Sequence, residues 1–177
     1  MTLKDNFELL ARYNQWMNES LFGAVTELDE TLINKPVGVF FNSIFGTLNH
    51  IAVADLIWLR RFTTHTSAFT SLESLADFPQ VTSLNEPLFE DFNALHDARY
   101  QLDKIILDFC DEVEVYELNA PIAYSNMRGN KFEKRLGYLL THFFNHQTHH
   151  RGQVSAVLTQ MNIDTGINDL VAVIPEA

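Results

Sequence analysis

Apolar residues recur at intervals of three and four along most of the chain, the spacing that lines one face of an α-helix, and glycine and proline fall mainly between these stretches. A first helix is predicted over residues 2–28. Its stripe of Leu3, Phe7, Leu10, Asn14, Met17, Leu21, Val25 and Leu28 follows an advance of about 100° per residue. Pro36 and Gly38 end the connection after it. A second helix opens with Asn42 or Ser43 as its cap and continues through Ile44, Leu48, Ile51, Asp55, Trp58, Leu59 and Phe62. Because it is apolar nearly all round, it is expected to be deeply buried.

A polar stretch over residues 63–86, rich in Ser, Thr and Asp, is long enough to cross the length of a helix bundle. The third helix is predicted to start near Pro87, a favoured first-turn residue, with Leu88, Phe92, Leu95, Leu102, Ile106 and Phe109 as its stripe. Residues 114–126 mix Val115, Tyr116, Ile122 and Tyr124 with polar residues. Arg128-Gly129-Asn130 then supplies a turn before Lys131 and Phe132, so a short β-hairpin is expected. The fourth helix is predicted over residues 133–161, followed by a tail, 162–177, that packs back on the body. The pattern is that of an all-α protein, a four-helix bundle in one domain.

With 177 residues and 46% hydrophobic positions the chain can build a substantial core. It has no apolar run long enough for a membrane span, and Lys4, Asp5 and Glu8 stand where an export signal would need its apolar block. A cytoplasmic location is expected, without membrane association. A formal charge of −11 argues against nucleic acid as a partner, Arg60-Arg61 being the only adjacent basic pair outside mixed-charge sequence. The single cysteine, Cys110, follows an apolar stretch and reads as an inert core thiol.

Candidate chemistry concentrates in the fourth helix, where His142, His146, His149 and His150 lie within HFFNHQTHHRGQ. On a wheel with His142 at zero, the apolar residues of this helix fall between about 60° and 160°. His150 lies at about 80° and His146 at about 40°, whereas His142 and His149 point away. Two inward imidazoles at i and i+4 can reach one ion, and a shared divalent ion would satisfy nitrogens that are costly to bury alone. The competing reading is a pair of hydrogen-bonded core histidines, since HxxxH is short and lacks the inner glutamate of the zincin motif. A third ligand must come from another segment, with His50, Asp55, His65 and His96 as candidates. The wheel of the second helix does not select His50. Its strongest apolar stripe lies about 80–120° away and contains Asp55, which could instead orient a ligand histidine.

Three blocks of sequence, Tyr13-Asn14-Gln15-Trp16-Met17-Asn18, Thr47-Leu48-Asn49-His50-Ile51-Ala52-Val53-Ala54-Asp55 and Asn145-His146-Gln147-Thr148-His149-His150-Arg151-Gly152-Gln153, together resemble the DinB family, over nearly the whole chain. This family is distinct from the translesion DNA polymerase of the same name. The resemblance implies an up-down-down-up four-helix bundle, with residues 63–86 as the crossover between helices 2 and 3. It also implies a three-histidine site in which His50, His146 and His150 hold one divalent ion, zinc or nickel. Gln147 departs from the acidic residue often found there, which removes a carboxylate from that position.

By the same resemblance the site suits transfer or isomerisation involving a low-molecular-weight thiol, with metal-assisted hydrolysis as the runner-up. A non-catalytic, metal-stabilised bundle that responds to stress or binds a partner is a second class of function, and a homodimeric scaffold a third. Asp55, Asn14, Asn18, Gln147 and Arg151 are weaker candidates for groups around the ion or substrate. For these the structural role is favoured: Arg151 falls just off the core arc and reads as a surface or interface charge, Asn14 and Asn18 as bridges between polar groups, Trp16 and Trp58 as packing.

Overall fold

The computed structural model describes residues 1–176. Four long helices dominate it: α1 (Leu3–Thr26), α3 (Ile44–Phe62), α4 (Phe92–Glu112) and α5 (Leu136–Gln160), with a single-turn helix α2 (Glu30–Ile33) in the first connection. Of the four long helices, every start but the last is capped by a side chain. Thr2 and Asp5 form a reciprocal capping box at α1, Ser43 accepts from the Gly46 amide at α3, and Asp91 accepts from the Ala94 amide at α4.

Side-chain pairs give the packing order. Phe7 stacks on Phe144 and Arg151 donates to Asn14, so α1 and α5 lie side by side and run the same way. Asn14 and Asn18 reach Asp103 while Phe22 meets Phe92, which sets α4 antiparallel to α1. His50 meets His146 and His150, and Phe62 meets Phe143, so α3 opposes α5. Arg99 pairs with Asp55 and Phe62 stacks on Phe109, which makes α3 and α4 parallel. Parallel neighbours in succession require the chain to travel back along their length, and the connector between them does so. It is more than a polar crossover: its 3-10 turn Thr70–Asp77 places Leu72 and Leu75, with flanking Phe69 and Phe78, in the core.

Two predicted boundaries are corrected. The third helix begins at Phe92 and not near Pro87, because Asn49 clamps the chain around that proline: its side-chain amide donates to the Glu86 carbonyl (2.7 Å) and accepts from the Leu88 amide (3.1 Å). The last helix begins at Leu136 and not at Glu133. Lys131–Arg135 forms strand β2, paired antiparallel with β1 (Pro121–Ser125) from Ser125↔Lys131 to Pro121↔Arg135, and the Leu136 amide donates to the Ala120 carbonyl. The hairpin itself forms around the predicted turn, with Gly129 at φ +79°; residues 117–119 ahead of it make a 3-10 turn instead of more strand. The tail packs on α1, where Ser20 donates to the Thr165 carbonyl and Tyr13 to that of Asn168; Ala177, the end of the predicted tail, lies outside the described residues.

Candidate metal centre

His146 and His150 occupy successive turns of α5, and His50 faces them from α3, so that one donor atom from each lies within 4.8 Å of the other two. His50 and His150 are buried and His146 is half-buried. The Nε2 atoms of His50 and His146 stand 3.2 Å apart. Two nitrogens bound to one zinc ion at tetrahedral angles would be about 3.3 Å apart, given bonds of roughly 2.0–2.1 Å.

The second ring nitrogens of His50 and His150 are committed. His50 Nδ1 donates to the Leu84 carbonyl (3.1 Å) and His150 Nδ1 to Gln153 Oε1 (2.9 Å), while the Gln153 amide nitrogen meets His149. A carbonyl only accepts, so both rings carry their proton on Nδ1 and present a bare Nε2. Burial lowers the pKa of His50 to about 4 and, with repulsion from the neighbouring imidazoles, that of His146 to about 3; burial lowers His150 as well. All three rings are therefore neutral at physiological pH. Neutral imidazoles with converging ring nitrogens, two of them oriented through Nδ1–H, are a donor set that could hold a divalent ion.

The third imidazole is placed by contacts that its own helix does not determine. Asn49 holds residues 86–88, which carries the Leu84 carbonyl onto His50, and the Phe41 ring stacks on the opposite side with a centroid separation of 3.6 Å. Phe41 is drawn close because Gly46 leaves room for its carbonyl: a Cβ at Gly46 would collide with that oxygen. Asn42 supplies the turn, at φ +72°. Beside the cluster lies a cavity of about 460 Å³ whose lining includes His50, His146, Trp58, Arg61, Arg128 and His142. Trp58, read from the sequence as packing, thus forms part of the cavity wall.

The weaker candidates assemble elsewhere. Asp55 does not orient a histidine; its carboxylate takes a 2.5 Å hydrogen bond from Arg99, which also pairs with Asp103 at 3.0 Å. Asp103 accepts from the side-chain amides of Asn14 (3.0 Å) and Asn18 (2.8 Å), and Arg151 donates to Asn14. Arg151 is therefore a buried member of this network, 3% exposed, and the surface reading is corrected. It lies off the apolar arc of α5 but faces the polar side of α1, which closes over it. Gln147 is fully buried and its amide completes no hydrogen bond, while burial pushes the pKa of Asp55 up. Arg99 and Asp103 were missed, yet Arg99 falls inside the stripe of Phe92, Leu95, Leu102 and Ile106 on a wheel of about 100° per residue, which was the available signal. His65 and His96 pack against phenylalanines away from the cluster, and Cys110 is a core thiol whose pKa burial raises.

The model of the DinB family matches residues 1–172. The Protein DinB of Bacillus subtilis (strain 168) is 29% identical over 151 residues, which cover 85% of this chain and 83% of the relative. No solved structure matches the chain.

Proposed function

The chain belongs to the DinB family, and from that premise we propose that it is a divalent-metal-dependent enzyme acting through His50, His146 and His150, with an external low-molecular-weight thiol as one substrate. The frame is an up-down-down-up four-helix bundle, a reading supported by the directions of the α1–α5, α1–α4, α3–α5 and α3–α4 side-chain pairs. The observation that carries the proposal is the convergence of three neutral imidazoles from two helices beside an open cavity. A zinc or nickel ion held there would supply Lewis acidity to a thiolate or a water molecule.

What the protein's own groups contribute follows from their placement. Leu84 and Gln153 keep Nε2 of His50 and His150 deprotonated and aimed, and Phe41 closes one side of His50 against water. The cavity beside His50 and His146 gives a second molecule access, which a site built only for stability does not need. The chain's single thiol is buried and its pKa raised, so thiol chemistry has to bring its own thiol.

The experiment is metal analysis of protein purified without chelator, followed by assay of a thiol panel against electrophilic substrates. About one ion per chain is expected, with thiol consumption that His150→Ala abolishes while circular dichroism stays unchanged. Turnover of esters or amides without any thiol would move the reading to a hydrolase. Absence of metal after reloading would remove the enzyme reading altogether.

A further inference from the structure

The wall of the cavity beside the histidines is basic, although the chain as a whole carries a formal charge of −11. Arg61 and Arg128 line the same cavity as His50 and His146. A second cavity of about 550 Å³ shares Arg61 and adds Arg60 and Lys131. No aspartate or glutamate lines either one. Among the described residues the ion pairs are those of Lys4 and Arg99, so none of these four cations is neutralised.

The two arginines at the end of α3 are used differently. Arg60 staples the crossover through the carbonyls of Leu75, Phe78 and Pro79, at 2.9–3.3 Å. The Arg61 guanidinium lies over two rings that touch each other edge-on, 4.5 Å from the Trp58 centroid and 4.9 Å from that of Tyr124. Of its five N–H donors, one hydrogen bond is made, to the Ser125 carbonyl at 3.0 Å. Aromatic faces hold a cation in place without consuming its donors. The result is a half-buried, oriented and unneutralised guanidinium at the junction of both cavities, and burial presses on its charge, lowering its pKa. A planar fork of this kind matches a carboxylate or phosphate, whose charge would relieve that burial.

We propose that Arg61, assisted by Arg128, is an oxyanion-binding subsite, and that the substrate carries a carboxylate or phosphate group placed so that its reactive end approaches the three histidines. This deepens the reading of the histidine cluster as a metal centre, but the subsite belongs to the chain itself and can be tested without metal.

Two arms separate the ideas. In the first, cobalt-loaded protein is titrated with mercaptosuccinate and with its dimethyl ester, following the thiolate-to-cobalt absorption. The diacid should bind about ten-fold tighter or more, the gain of one charge-assisted hydrogen bond. Arg61→Gln should erase that preference while leaving affinity for the diester within about two-fold, whereas chelation by the probe's own carboxylates would survive the substitution. In the second arm, metal-free protein is titrated with succinate and with inorganic phosphate by NMR. Shifts should localise to the amides around Arg61, Ser125 and Arg128 and vanish in Arg61→Gln; the tighter of the two anions identifies the group. Arg128→Gln, at an exposed loop position, carries the test if Arg61→Gln fails to fold, and should reduce the diacid preference at least about three-fold. Equal binding of diacid and diester by the unsubstituted protein, or a preference unchanged in both variants, overturns the subsite. Anion shifts that persist in a protein that takes up no cobalt overturn the metal reading and leave the subsite standing.

Discussion

His150 and Arg151 are adjacent on α5, and His50 and Asp55 are five residues apart on α3, yet each pair divides between two polar clusters of opposite character. In the first cluster three imidazoles bring ring nitrogens together, and the Nδ1–H groups of His50 and His150 leave their Nε2 lone pairs bare. In the second, Asp55, Arg99, Asp103, Asn14, Asn18 and Arg151 are joined by ion pairs and hydrogen bonds across α1, α3, α4 and α5. Two carboxylates there face two guanidinium groups. The first cluster could hold a cation, and the second already contains its own. Burial alone therefore does not distinguish a binding site from a structural lock; the state of the remaining lone pairs does.

The sharpest way to break the contrast is to remove the centre of the lock. Arg99→Leu leaves two buried carboxylates unpaired and should cost about 3–5 kcal/mol in urea unfolding. The same experiment on His150→Ala in metal-free protein should show a much smaller loss, since that ring has no buried charge to abandon. Comparable losses in the two variants would erase the distinction.

A smaller effect is expected from the histidine side. Gln153→Leu removes the acceptor for His150 Nδ1–H, so metal affinity should fall roughly 10- to 100-fold in competition with a chromogenic chelator. Metal-free stability should be nearly unchanged, because Gln153 and His149 meet at the surface.

The smallest effect is in the pH dependence of the metal-free protein, where the clusters act with opposite sign. His50 and His146 are held at about 4 and about 3, below the ordinary 6.5 of the unfolded chain. As the pH falls below 6.5 the unfolded state takes up protons that the folded state refuses, so stability declines towards pH 4. Burial raises Asp103 to about 6, above the ordinary 3.8. Between pH 6 and 3.8 the folded state takes up the proton that the unfolded state does not, so this group gains stability as the pH falls. Urea midpoints from pH 7 to 4 should decline, less steeply in His146→Gln and more steeply in Asp103→Asn. A profile that responds alike to both substitutions would mean the two clusters are not separate.

Much of this was legible in the residues. The four long helices, the hairpin turn and the inward pairing of His146 with His150 all follow from local geometry, since a helix fixes the angle between its own residues whatever surrounds it. Asp103 and Arg99 could have been found the same way, as charges inside or beside an apolar stripe. The helix starts at Phe92 and Leu136 could not, because an Asn49 clamp and a strand pairing displaced boundaries that local propensity placed earlier.

By itself, then, the sequence determined which residues share a helix face, because rise and turn per residue are properties of the backbone. Only the tertiary structure decided that His50 joins the α5 pair, that Asp55 turns to Arg99, and that Arg151 is buried. Each of these side chains lies where a second segment determines burial and partner: residues 84–88 and Phe41 over His50, α4 beside Asp55, and the polar face of α1 over Arg151. A periodic pattern records the angle at which a side chain leaves its helix, whereas its chemistry depends on what meets it there.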